Sequence, residues 1–211
     1  MDRLYADADH MHMNDISELD RVAVDYTVTI VSMATADDLS RPTPCAEWDL
    51  AQLLAHMTAQ HRGFAAAARG HGSELSTWQV RQSPDPVADY AAAAAEVSAA
   101  FSETGVLQRD FELPEFGPGF VAPGELAVGF HFVDYVVHGW DVARALAVPY
   151  AVDERVAGRA LEIAQAVPDG EERLVPGAPF APATADREAP DVLARTLALL
   201  GRSPQWTAPA T

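Results

Sequence analysis

The sequence predicts an all-α protein: a four-helix bundle with a small C-terminal appendage of helix and extended chain. Four segments of roughly 20 residues carry apolar side chains at helical spacing. A short turn joins the first two and a longer crossover joins the last two, as in many bundles. The composition, 49% hydrophobic and 21% charged, is that of a globular chain. We therefore predict a bundle over residues 14–150 and an extension over 151–211 packed on it.

The first two helices are indicated by apolar spacing and by the break between them. Residues 1–13 show no sustained period and are expected to form a loose leader. Asn14 can cap a helix whose apolar residues then recur every three or four positions. The proline-rich stretch RPTPCAEWD ends that helix, and Asp49 begins the second helix, over about 49–69.

The third and fourth helices follow from similar signals. Asp85 and Pro86 open a third helix that ends before Gly105. The segment VLQRDFELPEFGPGF alternates weakly and then breaks at glycines and a proline, which predicts a short strand or extended crossover. The fourth helix is expected from about Pro123 to Ala147.

The last 60 or so residues supply few large apolar side chains, which argues against an independent core. We expect a helix over 153–166, an extended segment LVPGAPFAPATA, and a final helix over about 189–201. This part of the chain is therefore predicted to be an extension of the bundle.

Charge and cysteine content exclude several classes of function. The formal net charge of -17 repels nucleic-acid phosphates and anionic lipids, so neither is an expected partner. No apolar run reaches the 18 to 20 or so residues of a membrane span, and no secretory signal is visible. The one cysteine, Cys45, cannot form an intramolecular disulfide, and no basic residue adjoins it in sequence to activate it. A cytoplasmic protein with a small-molecule substrate is expected.

The stretch HFVDYVVHGWD places polar residues in the pattern of a buried helix. At about 100° per residue, His131, Asp134 and His138 fall within an arc of roughly 60°. Valine and phenylalanine flank this stripe, so it faces core. An unpaired buried carboxylate costs several kcal/mol, and a metal ion is one cation that would remove that cost for Asp134.

A metal in a bundle usually takes ligands from more than one helix. His56 is the best third ligand, because it lies mid-helix in LLAHMTAQ among apolar neighbours. The set His56, Asp134 and His138 suits Zn, Ni, Fe or Mn and leaves coordination positions open, as in catalytic sites. The competing interpretation, core histidines bonded to carbonyls, stays open at this point.

Other polar residues near the stripe are assigned supporting roles. His131 lies two turns from His138, about 10 Å along the axis, so we place it behind the ligands. Asp141 either accepts a hydrogen bond from a ligand histidine or pairs with Arg144 one turn on. His61 points elsewhere on the second helix and is expected at the surface.

Two segments together resemble a known family: TPCAEWDLAQLLAHM at 43–57 and DYVVHGWDVARAL at 134–146. They are similar to the DinB-like metal-binding superfamily, in the actinobacterial branch related to mycothiol-dependent maleylpyruvate isomerase. The resemblance implies a bundle holding a divalent metal, usually zinc, on His56, Asp134 and His138. The isomerase has a glutamate where this chain has Asp134, which is one methylene shorter.

The implied chemistry is activation of a low-molecular-weight thiol, with mycothiol as a potential co-substrate. A metal-dependent thiol S-transferase or thiol-dependent isomerase is the leading hypothesis, with Arg81 and Arg144 as substrate-binding groups. Two alternatives are a non-catalytic metal-binding or ligand-binding bundle and an enzyme of specialised metabolism that has lost thiol dependence. A homodimer paired through helices is compatible with the fold.

Overall fold

The computed structural model describes the backbone of residues 2–45, 48–175 and 178–209, and the side chains in these ranges from residue 16 onward. Within them, six α-helices and one two-stranded hairpin account for the main regular structure. The helices are α1 (Asp2–Val31), α2 (Leu50–Ala68), α3 (Pro86–Phe101), α4 (Gly124–Leu146), α5 (Glu154–Ala166) and α6 (Val192–Leu199), and the strands are β1 (Asp110–Glu112) and β2 (Val121–Pro123). The predicted all-α class is confirmed.

Aspartate caps define where four of the helices begin. The side chain of each cap accepts a hydrogen bond from a backbone N–H of the first turn, and this donor has no partner within the helix itself. These caps are Asp49, Asp85, Asp153 and Asp191. At the other end of α4, Ala147 adopts a left-handed conformation with φ 57°, which stops the helix.

Three boundaries differ from the sequence-based expectation. Helix α1 begins at Asp2, so the expectation of a loose leader before Asn14 is wrong for the backbone. It also ends at Val31, before the proline-rich stretch that was expected to end it, and a 3-10 turn at Ala36–Asp38 follows. The final helix is shorter than 189–201, because Asp191 is its cap and residues 185–188 form a separate 3-10 turn.

The four long helices form the bundle. Helix α1 packs mainly on α4 and α2 mainly on α3, while contacts of α1 with α3 and α2 with α4 close the ring. Helix α4 is buried on most of its surface, from Ala127 through Ala145. A polar side chain on a buried face of α4 must therefore find a partner inside the protein.

A hairpin and a loop connect α3 to α4. Strands β1 and β2 pair antiparallel with Phe111 opposite Ala122, and both of these side chains are buried. The intervening loop closes through a bond from the Leu113 N–H to the Phe120 carbonyl of 3.0 Å. The crossover predicted from sequence is thus a hairpin whose tip carries residues 114–120.

The C-terminal extension packs on the bundle through α5, which contacts α4 and α1, and α6 packs on α5. The buried Arg173 binds this extension together by donating to the carbonyls of Pro168, Ala181 and Leu199. In the described part of the chain, no helix is long and apolar enough to cross a bilayer.

Candidate metal centre

Three side chains from two helices meet at one side of the bundle. His56 comes from α2, and Asp134 and His138 come from successive turns of α4. One ligand-type atom of each residue lies within 4.8 Å of those of the other two. The Nε2 atom of His138 is 3.4 Å from Asp134 Oδ1, and the His56 and His138 rings meet edge to face with centroids 5.4 Å apart. The structure thus brings together the three residues predicted as ligands.

The orientation of His138 is set by Asp141. Nδ1 of His138 lies 2.9 Å from Asp141 Oδ2. Burial opposes ionisation of Asp141, but the charge of Arg202 and the bond from His138 outweigh it and lower the Asp141 pKa to about 2. An ionised carboxylate only accepts hydrogen bonds, so Nδ1 carries a proton. When His138 is neutral, the Nε2 lone pair then points toward Asp134 and His56, as a metal ligand requires.

Arg202 completes this arrangement from the far end of the chain. Its Nε is 3.0 Å from Asp141 Oδ1 and its Nη2 is 3.0 Å from Asp141 Oδ2, a bidentate pair. The side chains of Arg202 and Asp141 are 10% and 0% exposed. The sequence analysis named Arg144 as the alternative partner of Asp141 and did not find Arg202. Arg202 is distant from Asp141 in sequence, so no local pattern indicates their pairing.

Cys45 contacts the same oxygen of Asp141 that His138 does. Its Sγ is 3.2 Å from Asp141 Oδ2 and accepts from Arg202 Nη2 at 3.0 Å. Cys45, His138 and Asp141 form a second set of closely spaced ligand-type atoms. The guanidinium of Arg202 already neutralises that set, so a metal ion there would be repelled at short range. In the described contacts no arginine pairs directly with His56, Asp134 or His138, so this set is the better metal site.

The surroundings of His56 favour its neutral form. Its ring lies 4.6 Å, centroid to centroid, from that of Trp48. Burial, and then the charge of His138, lower the pKa of His56 to about 4. Neutral imidazole is the form that binds metal. The Asp134 side chain is 27% exposed, so the site is open on this side.

The protonated form is favoured for His138, unlike His56, because His138 lies between the carboxylates of Asp134 and Asp141. Burial opposes its protonation, but Asp134 and then Asp141 outweigh that effect and raise its pKa well above the usual value. Binding of a cation at Nε2 therefore displaces a proton from His138. The donor set of two imidazole nitrogens and one carboxylate oxygen fits a zinc-type ion.

His131 has partners other than the metal-ligand set. Its Nδ1 lies 2.6 Å from Asp20 Oδ1, and its Nε2 lies 3.1 Å from His61 Nδ1. All three side chains are buried, and the rings of His61 and His131 both stack on Tyr135. Two sequence-based expectations need correction: His131 does not contact the ligand set in the described contacts, and His61 is buried in the bundle.

The two arginines predicted to bind substrate are both exposed. Arg144 lies over the Trp140 ring, with its guanidinium carbon 5.4 Å from the ring centroid. Arg81 donates to Gln79 and lines a shallow cleft that includes Thr58. Their role in substrate binding stays a prediction.

These features define a class: an all-α bundle with a candidate metal centre between its second and fourth helices. The family model described as the mycothiol maleylpyruvate isomerase N-terminal domain matches residues 21–143. The chain is also 30% identical over 190 residues to uncharacterised proteins of Mycobacterium tuberculosis strains CDC 1551 and H37Rv, covering 86% of this chain and 94% of each relative. The protein therefore belongs to the mycothiol maleylpyruvate isomerase N-terminal domain family, as its motifs predicted.

Solved structures support the fold. The mycothiol-dependent maleylpyruvate isomerase and a histidine-to-alanine mutant of it align with TM-scores of 0.53 and 0.55, at 10% and 8% identity. Each alignment covers 72% of this chain and 69% of the other chain. At this identity the likeness confirms the shared fold alone.

Proposed function

We propose that this protein is a divalent-metal-dependent enzyme of the thiol S-transferase or thiol-dependent isomerase type. The single observation that carries the proposal is the convergence of His56, Asp134 and His138, with Asp141 directing the Nε2 lone pair of His138 toward the other two. Membership of a family described by a mycothiol-dependent isomerase supports the thiol dependence. Mycothiol is the proposed co-substrate, and zinc the favoured metal.

The chain's own residues prepare the site for that chemistry. His56 is held neutral by burial, and Asp134 supplies a partly exposed carboxylate. Arg202 and Asp141 together keep the imidazole of His138 in one orientation. A bound divalent ion would supply the Lewis acid that lowers the pKa of a thiol and holds it as a thiolate. Trp48 covers one face of His56 and limits water on that side.

Metal content is the first test. Protein purified without a His-tag should contain about one equivalent of divalent metal per chain by elemental analysis, as expected for a single three-ligand site. His56→Ala and His138→Ala should both lose it. His71→Ala is the matched control, because the His71 side chain is exposed and lies away from the ligand set, paired with Glu74.

Thiol turnover is the second test. The metal-loaded wild-type protein should accelerate consumption of mycothiol by electrophilic substrates, and both metal-ligand variants should lose this activity while His71→Ala retains it. Metal without turnover of any thiol would contradict the enzymatic proposal and favour a non-catalytic metal-binding bundle. No metal after attempted reconstitution would make the three residues a hydrogen-bonded part of the core.

A further inference from the structure

The tip of the hairpin lies over the gap between α2 and α4, next to the candidate metal centre. Gln60, one turn after His56 on α2, is close enough to the Glu115 carboxyl to lower the pKa of that group. Phe130, one turn before Asp134 on α4, contacts Phe116, with ring centroids 5.1 Å apart. Residues four apart on a helix share a face. The turn at residues 114–116 therefore touches the helix turns that adjoin the ligands and forms one wall of the approach to them.

This wall is aromatic and faces solvent. Phe116 also contacts Phe120, with centroids 5.3 Å apart, and we call Phe116, Phe120 and Phe130 the aromatic wall. Phe116 and Phe120 are 39% and 37% exposed. Most large apolar side chains of this protein are buried, so a contiguous exposed pair beside a candidate site indicates a contact surface.

Carboxyl groups lie on both sides of the approach. Glu115 is on the hairpin turn, and Asp134, in the ligand set, is close enough to act on it electrostatically. The Arg202 guanidinium acts electrostatically on His56, but it is already paired with Asp141. A small dicarboxylate would meet these carboxyl groups at the approach, whereas a neutral apolar group would bury the exposed rings.

We infer that the substrate of this site is a neutral molecule bearing an aromatic or other apolar group, and that this group packs on Phe116 and Phe120. The inference rests on the proposed function for the identity of the site as catalytic. The wall itself is a property of the fold, and its occupancy by an apolar ligand can be measured without turnover.

Binding of N-phenyl-1-naphthylamine, a neutral fluorescent probe, tests the wall directly. The wild-type protein should bind it, and Phe116→Ala and Phe120→Ala should each weaken binding by about tenfold, the order expected for loss of a phenyl group buried on binding. Leu174→Ala is the matched control, because Leu174 is an exposed apolar residue of the C-terminal extension. Unchanged affinity in both phenylalanine variants would overturn the inference. So would a dimer seen by sedimentation that Phe116→Ala dissociates, because a second copy would then occupy the wall.

Rates of thiol addition to two acrylates and to maleate test this inference separately from the proposed function. We expect kcat/KM to be higher for benzyl acrylate than for methyl acrylate, and higher for both than for maleate. Phe116→Ala should bring the benzyl-to-methyl ratio toward one while metal content is unchanged. Probe binding without any thiol turnover would support an apolar ligand on the aromatic wall and would contradict the proposed function. Turnover with a preference for maleate would sustain the function and overturn the inference.

Discussion

Asp141 Oδ2 lies 2.9 Å from Nδ1 of His138, and the same carboxylate receives two nitrogens of Arg202 at 3.0 Å. A residue of the C-terminal tail thus acts, through one buried carboxylate, on the orientation of a candidate metal ligand. Carboxylates behind ligand histidines fix the tautomer and raise ligand basicity. The consequences can be measured one residue at a time.

Replacing the carboxylate should weaken metal binding. Asp141→Asn is expected to lower affinity for zinc about 10- to 100-fold, because an amide neither holds the His138 proton as strongly nor neutralises Arg202. Competition with a chromophoric chelator would measure this. Asp25→Asn is the control, since Asp25 is an exposed partner of Arg21. Equal affinity in Asp141→Asn and wild type would contradict the prediction.

Removing the guanidinium should destabilise the protein in a pH-dependent way. Arg202→Met leaves the buried Asp141 without its bidentate guanidinium partner, which costs about 3 kcal/mol of unfolding free energy near pH 7. In the wild type the Asp141 pKa is lowered to about 2, so its stabilisation is present above the unfolded value near 4 and is lost as pH falls toward 2.

In Arg202→Met that pKa should rise, and protonation at mildly acidic pH should relieve part of the cost. Urea unfolding at pH 7 and pH 4.5 would show a smaller difference between variant and wild type at the lower pH. Arg195→Met, on a half-exposed position of α6, serves as control. A difference that is the same at both pH values would argue against the buried charge as the cause.

The buried hydrogen-bonded series Asp20, His131 and His61 should contribute to stability but not to metal binding. Asp20→Leu removes the acceptor of His131 Nδ1 and should cost about 1–3 kcal/mol, the usual penalty for a buried donor left without a partner. Elemental analysis should find wild-type metal content. Asp25→Leu, on the exposed part of the same helix, controls for the substitution. Loss of metal in Asp20→Leu would show that His131 does act behind the ligands.

Acid should destabilise the metal-free protein partly through His61. Burial lowers the pKa of His61 well below its usual value, so below about pH 6.5 the unfolded chain binds a proton that the folded chain does not. Stability then falls with pH by at most about 1.4 kcal/mol per unit for this group. His61→Leu should be less stable at pH 7 and lose less between pH 7 and 5. The exposed His71→Leu should keep the wild-type slope.

Much of the fold follows from local chemistry. The aspartates at positions 49 and 85 could be recognised as helix starts because each cap acts within one turn of its own backbone. The apolar stripes of the long helices likewise depend only on the helical period. The leader was misjudged because its residues lack such a stripe, yet α1 extends through them.

The ligand set was predictable for the same reason. Asp134 and His138 are four residues apart, so their shared direction on α4 is a property of the helix itself. His56 could be paired with them only on the assumption that α2 and α4 adjoin at these turns, an assumption that the bundle supports. The family resemblance, confirmed by the match to residues 21–143, pointed to the same three residues.

The sequence by itself determined the presence of the four long helices, the starts of α2 and α3, and the direction of each polar side chain relative to its own helix axis. Only the tertiary structure decided what each side chain meets. His61 was rightly placed on another face of α2 than His56, but that face also packs in the bundle, against His131 and Tyr135. Arg202 reaches Asp141 across a separation of 61 residues. The helical period is a local property, whereas partners across the core depend on how whole helices pack.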